Sequence, residues 1–230
     1  MTTLTALSAI TASLPWRQQL GALTAAPPSP RAYEIAKRAM DVVLALALLV
    51  LLAPLMLLVA AAVKLTSRGG VIFRQSRAGI NGRPFVMYKF RTMHVGAEDA
   101  RGEILHLNEK DGPVFKIARD PRLTPVGGLL RRSSLDELPQ LINVLRGQMS
   151  LVGPRPLWMP EAQRTVGQAR LRMAVKPGLT CLWQVSGRSE LSYHEWVKLD
   201  LHYVRNRGML LDLAILLQTV PAVISARGAY

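Results

Sequence analysis

Asp136 and Glu137 stand side by side in "SSLDELPQLINVLRG", residues 133–147, of a chain with 29 Lys and Arg against 15 Asp and Glu. Two adjacent carboxylates just after Arg131 and Arg132 admit two readings. Ser134-x-x-Glu137 matches a capping box, in which both acids serve a helix start and its dipole. Pro139 strains that reading. It would be the fifth helical residue, unable to donate to the Leu135 carbonyl and crowding it. Either the first turn is irregular, or the regular helix begins near Pro139, where a proline is welcome. In the second reading the acids project from a distorted helix mouth and do different jobs, because neighbouring helical residues point about 100° apart. One could act as a nucleophile while the other binds a metal ion. Oxygen ligands and phosphate suggest Mg²⁺.

A carboxylate approaching a phosphate meets like charge, so this chemistry needs cations. Candidates are Lys89 and Arg91 in "KFRTM", Arg119 in "ARDPR", Arg131, Arg155 in "GPRP" and Arg188 in "SGRS". A guanidinium fork matches phosphate with two parallel hydrogen bonds. Arg155 lies between Pro154 and Pro156, which restrict its backbone.

The formal net charge of +14 points to an anionic partner: nucleic acid, an acidic membrane surface or a phosphorylated small molecule. No nucleic-acid module or interleaved aromatics occur, so nucleic acid is not expected. The Walker phosphate loop, the G-x-G-x-x-G fingerprint and the nucleophile elbow are absent. His94, His106, His194 and His202 have no metal-ligand spacing. The lone Cys181 excludes an internal disulfide and reads as a small packed hydrophobe in a reducing compartment.

The elements that must position these residues begin in a membrane. "VVLALALLVLLAPLMLLVAAAV", residues 42–63, is uncharged and about as long as a bilayer-crossing helix. Pro54 sits at its middle and must bend it. Basic residues flank both ends: Lys37 and Arg38 before, Lys64 and Arg68 after. Positive residues prefer the cytoplasmic side, which a single span satisfies at one end only. A Pro54-bent helix that dips into one leaflet and returns satisfies both. Asp41 beside Arg38 could form an ion pair at its mouth. Residues 210–227 are apolar, broken by Pro221, and read either as an interfacial helix or as a core helix.

The remainder reads as α+β. "INGR" within residues 69–93 is an Asn-Gly hairpin signal. Helices are expected over 95–110, 134–146, 159–173 and 192–206. The domain reading is a mobile tail at 1–32, a re-entrant membrane helix at 33–66, and a catalytic domain at 67–230 with a C-terminal amphipathic helix.

The chain resembles the bacterial sugar transferase family, the monotopic phosphoglycosyl transferases. The matching pieces are "KRAMDVVLAL" leading into the Pro-broken helix, "YKFRTM", "DPRLTPVGGLLRRSSLDELPQLINVLRGQMSLVGPRP", "KPGLTCLWQVSGRS" and "LDLHYVRN". Its wording looks most like the exopolysaccharide-type hexose-1-phosphate transferases. The resemblance implies a cytoplasm-facing enzyme of the bacterial inner membrane that moves a sugar-1-phosphate from a UDP-sugar to undecaprenyl phosphate, releasing UMP. It implies that Asp136 attacks the β-phosphate to form a covalent phosphosugar–aspartyl intermediate, and that Glu137 holds Mg²⁺. Arg131, Arg155 and Arg188 match positions near the phosphates. Relatives commonly carry Gly at position 181, which would strain a Cys there if the site needs positive φ. The competing expectation is a non-enzymatic basic module that recruits anionic lipid or an export partner. A homodimer is compatible with every feature above.

Overall fold

The computed structural model describes residues 30–226 and residue 228. The tail expected over 1–32 therefore falls almost wholly outside the described residues. Helix α1, Pro30–Thr66, continues through Pro54 as one 37-residue element. It is the one helix among the described residues that is long and apolar enough to cross a membrane. Val43, Val50, Leu51, Leu57 and Leu58 are each more than 60% exposed, which demands a non-aqueous cover.

Both ends of α1 are tied to the rest of the chain. Near its start, Lys37 pairs with Asp212 at 2.8 Å, and Arg38 donates to the carbonyls of Val144 and Leu145 at 2.7 Å each. Asp41 accepts from Ser150 Oγ at 3.0 Å and from the Leu151 N–H at 2.9 Å. The expected Asp41–Arg38 ion pair is thus not formed: each side chain serves a backbone end in the domain below. Near the other end, Val59 and Val63 pack with Phe90 and Leu130.

Strands β1 (Ile72–Ala78) and β2 (Pro84–Phe90) form the expected antiparallel hairpin. Its connection is the five residues between Ala78 and Pro84, with Asn81 left-handed at φ 54°. The segment 95–110, expected as a helix, holds two single turns, Asp99–Arg101 and Leu105–Leu107. Gly96 at φ 82° and Gly102 interrupt it, and glycine disfavours a continuous helix. Helix α2, Gly127–Arg132, leads to the turn Leu135–Glu137 and then to α3, Gln140–Leu145. Pro139 is the N-cap of α3, so the regular helix begins where the proline permits it.

Strand β3 (Ser150–Val152) pairs in parallel with β4 (Gly178–Thr180). The backbones approach so closely that a Cβ on Gly178 would lie 2.1 Å from the Gly153 nitrogen, which only glycine tolerates. The helix expected over 159–173 is α4, Met159–Arg164, followed by a separate 3₁₀ segment, Gly167–Ala174. A β-branched pair, Thr165 and Val166, and then Gly167 at φ 60° separate them. After the short α5, Leu182–Val185, comes α6, Tyr193–Asn206. Ser192 and Glu195 close a capping box at its start. Trp183 stacks on Trp196 with ring centroids 4.2 Å apart, joining α5 to α6 in the main core. Cys181 is buried there at φ −153°, so the feared strain does not arise.

Helix α7, Met209–Ser225, completes the fold. Leu211 and Ile215 face the core, while Leu210, Leu217, Val220 and Ile224 are exposed. One face of this segment therefore belongs to the core, and the other is apolar and exposed. Fully buried Asp212 joins α7 to α1 and α6: Tyr33 and Tyr203 donate to it at 2.9 and 2.7 Å, alongside Lys37.

Candidate active site

Three elements place the acid pair. Ser134 adopts a left-handed conformation, φ 57° and ψ 14°, and its side chain caps nothing. The capping box read from Ser134 and Glu137 is therefore not formed. Such a backbone costs a non-glycine residue about 1–2 kcal/mol, and strain of this kind concentrates at functional sites. The turn it starts leaves Asp136 buried and Glu137 nearly so.

Glu137 meets cations. Lys89, from β2, donates to Oε1 at 2.7 Å. Arg155, from the loop after β3, forks onto both oxygens, at 2.5 Å to Oε1 and 3.2 Å to Oε2. The same ammonium lies 3.7 Å from Asp136 Oδ2. Burial pushes Glu137 up, but the Arg155 and Lys89 charges outweigh it and hold its carboxyl well below the usual range. Asp136 shifts the other way: burial raises it, Lys89 opposes, and the Glu137 charge adds to the rise. Two adjacent acids thus have opposite tendencies, which is the pattern of divided roles.

Arg131 lies within electrostatic reach of Asp136 and donates from Nε to Thr92 Oγ1 at 3.1 Å. That contact depends on Gly127, whose Cβ, if present, would lie 2.0 Å from the Thr92 carbonyl oxygen. Arg188, left-handed at φ 52°, is within reach of Glu137 and Arg155 while its Nε donates to the Gln184 carbonyl. Two cations that sequence reasoning missed join them. Arg77 of β1 is half-buried and close enough to feel both Glu137 and Arg155. Lys116 sits against the Ser189 hydroxyl; burial first, then Arg155, Lys110 and Arg131, push its ammonium down to about 7. The signal available for Arg77 was its even spacing in the hairpin; Lys116 had none.

The structure therefore brings together Lys89, Arg131, Arg155 and Arg188 around Asp136 and Glu137, and leaves two expected phosphate ligands elsewhere. Arg91 is buried, its Nε, Nη1 and Nη2 bonded to the carbonyls of Gly70, Arg68 and Ser67. It ties β2 to the turn after α1. Arg119 is exposed and makes no ion pair with either carboxylate. Of the residues expected at the membrane mouth, Lys37, Arg38 and Asp41 act as the tethers described above, and Pro54 lies within α1.

Six cationic side chains facing two carboxylates leave a positive excess in a mostly buried site. Such a site suits an anion of more than one charge, and a diphosphate is the simplest. Among the described residues no three metal-ligating side chains converge. The donor set fits Mg²⁺ all the same, since this ion uses one or two carboxylates and takes its other oxygens from substrate phosphates and water. Lys89 and Arg155 make three contacts to Glu137 and leave a fourth lone-pair direction on that carboxylate.

Residues 32–226 match the family model described as bacterial sugar transferase. The exopolysaccharide production protein ExoY of Sinorhizobium fredii is 44% identical over 200 residues, covering 85% of this chain and 88% of that protein. The UDP-glucose:undecaprenyl-phosphate glucose-1-phosphate transferase of Caulobacter vibrioides is 41% identical, covering 92% of this chain and 79% of that protein. The undecaprenyl-phosphate galactose phosphotransferase of Salmonella typhimurium is 41% identical over 87% of this chain and 43% of its own length. A match from the start of α1 to the end of α7, with the acid pair and its cations inside it, places this chain in the bacterial sugar transferase family.

Proposed function

We propose that the protein is a phosphoglycosyl transferase that moves a sugar-1-phosphate from a UDP-sugar to undecaprenyl phosphate at the inner face of the bacterial cytoplasmic membrane, an early step of exopolysaccharide synthesis. The observation that carries this reading is the buried acid pair with opposed electrostatics inside a shell of Lys89, Arg131, Arg155 and Arg188. Asp136 is the nucleophile. Its carboxylate oxygen attacks the β-phosphorus, the bond to the α–β bridging oxygen breaks, and UMP leaves with that electron pair. An oxygen of the lipid phosphate then attacks the same phosphorus and releases the Asp136 carboxylate. Each step replaces one difficult meeting of anions by an easier one. The ring of arginines and lysines offsets the repulsion that a diphosphate and a carboxylate would otherwise meet. Mg²⁺, held through Glu137, supplies further charge neutralisation on the diphosphate when bound.

The tethers support one membrane arrangement over the other. A helix with both ends bound to one domain favours having those ends on the same side of a bilayer. Asp212 and Ser150 hold the start of α1, while Phe90 and Leu130 pack near its end. We read α1 as re-entrant, bent at Pro54, with its basic flanks on the cytoplasmic side. Single cysteines at positions 30 and 70, probed from each side of inverted vesicles, should both react from the cytoplasmic face. Reaction from opposite faces would restore a plain span.

The catalytic reading is tested with UDP-sugars and undecaprenyl phosphate in detergent. Wild type should release UMP, and without acceptor it should gain the mass of one sugar phosphate. Asp136→Asn should do neither. UMP release that survives in Asp136→Asn removes the covalent role, and the absence of release from every UDP-sugar favours a binding module.

A further inference from the structure

The Arg101 guanidinium lies 4.1 Å from the ring centroid of Trp158 and 4.7 Å from that of Phe115. Its Nη2 reaches Glu161 Oε1 at 3.4 Å, a long contact. A flat group with an N–H aimed at a carboxylate thus occupies a slot lined by two aromatic rings. The backbone that carries Trp158 is held on two sides, and Phe115 carries a second cation. Trp158 is the N-cap of α4, its N–H donating to Glu161 Oε2 at 3.2 Å, and it bridges to Arg77 of β1. Arg122 lies over Phe115 at 5.5 Å and is itself locked to Asp120 at 2.7 Å. The plug is less fixed. Arg101 sits in the single turn Asp99–Arg101, between Gly96 and Gly102, neither of which would meet any atom if given a Cβ.

The slot also lies at a telling distance from the acid pair. Arg77 pairs across the hairpin with Phe85, and Lys89 follows Phe85 by four residues on the same strand face. At about 3.3 Å per residue their backbone positions are about 13 Å apart along the hairpin, comparable with the length of a nucleoside diphosphate, while their side chains converge enough for the Arg77 charge to act on Lys89. Arg155 and Lys116, which feel Glu137, are three and one residues away in sequence from the slot walls.

We propose that the Phe115–Trp158 slot is the base subsite for the donor nucleotide, with Arg101 as its resident plug. A uracil ring has the same flatness as the guanidinium. Its N3–H would donate to Glu161 in place of Arg101, which favours uracil over cytosine, whose N3 is an acceptor. The assignment rests on the donor being a UDP-sugar and names what holds its base. Stacking on a side chain and a hydrogen bond to a buried carboxylate would act together.

The test is UDP and CDP binding to the full-length protein in detergent by isothermal titration calorimetry, with UMP release measured on the same wild-type sample. Phe115→Leu and Trp158→Leu should each weaken UDP binding about tenfold, and Trp158→Phe should stay within about threefold of wild type. Arg101→Ala should tighten UDP binding, because the base no longer competes with a plug. Glu161→Gln should narrow the preference for UDP over CDP. Unchanged UDP affinity in folded Leu variants overturns the subsite, as does weaker binding by Arg101→Ala. If the Leu variants fail to fold, Arg101→Ala decides alone: tightening supports the slot, and an unchanged or weaker affinity removes it. UDP binding that follows this pattern without UMP release from any UDP-sugar would keep the slot and remove the transferase reading. UMP release with no effect of these variants would do the reverse. A wild type that binds no UDP removes both.

Discussion

Removing the Asp212 side chain should unseat the start of α1. Asp212 is fully buried and accepts from Lys37 Nζ at 2.8 Å, Tyr33 at 2.9 Å and Tyr203 at 2.7 Å. Asp212→Ala leaves the Lys37 ammonium, about a tenth exposed, without its anion. Breaking a buried pair by deleting one partner costs about 3–5 kcal/mol. The two hydroxyls recover part of their loss, because they already lie 3.5 Å apart and can bond one another. We expect about 4 kcal/mol. For a chain of this length each kcal/mol shifts Tm by about 2–4 °C, so the melt should fall by about 8–16 °C. The assay is thermal unfolding in detergent micelles, needed because α1 and α7 expose apolar faces. Adding Lys37→Met to Asp212→Ala removes the orphaned charge and should recover stability, with a coupling above about 2 kcal/mol in the double-mutant cycle. A loss under about 1 kcal/mol in Asp212→Ala, or strict additivity with Lys37→Met, would refute the claim that this cluster ties α1 to the domain.

Other outcomes follow from single contacts. Lys116, held near 7, loses its charge as pH rises through neutrality. A bound diphosphate would favour its protonated form, so UDP affinity should fall by up to about tenfold per pH unit above 7. Lys116→Arg should flatten that profile, and a wild-type profile already flat from pH 7 to 9 would contradict it. Gly127→Ala forces a Cβ against the Thr92 carbonyl at 2.0 Å. It should cost about 1–3 kcal/mol, visible as a lower Tm, and lower UMP release through the Thr92–Arg131 contact. Ser192→Ala removes the α6 cap that accepts from the Glu195 N–H. It should cost about 1 kcal/mol, with UMP release unchanged below the melt.

Local chemistry made much of this protein legible. The hairpin around "INGR", the capped helix at 193–206, the apolar helix with a central proline, and a helix starting at Pro139 all depend on residues within one or two turns of each other. So does the juxtaposition of Asp136 and Glu137, which needs no fold to exist. Segments broken by glycine or β-branched residues, 95–110 and 159–173, were legible only in outline, because apolar periodicity outlasts the hydrogen-bonded helix.

What each charge does was decided by tertiary structure. Nothing in "KFRTM" distinguishes Lys89, which meets both acids, from Arg91, which holds three carbonyls of a turn. Alternation along a strand sends the two side chains to one face, and only the neighbouring backbone determines which finds an anion. Asp41 and Arg38 are close enough on a helix to pair, yet each has a better-satisfied partner more than a hundred residues away. Glu137 fits a cap by spacing, but two cations from distant elements outbid a single backbone N–H. Sequence supplied the reacting pair and the excess of positive charge. Long-range packing selected which cations face that pair, because a buried charge settles where a partner satisfies it, and partners are brought together only by the fold.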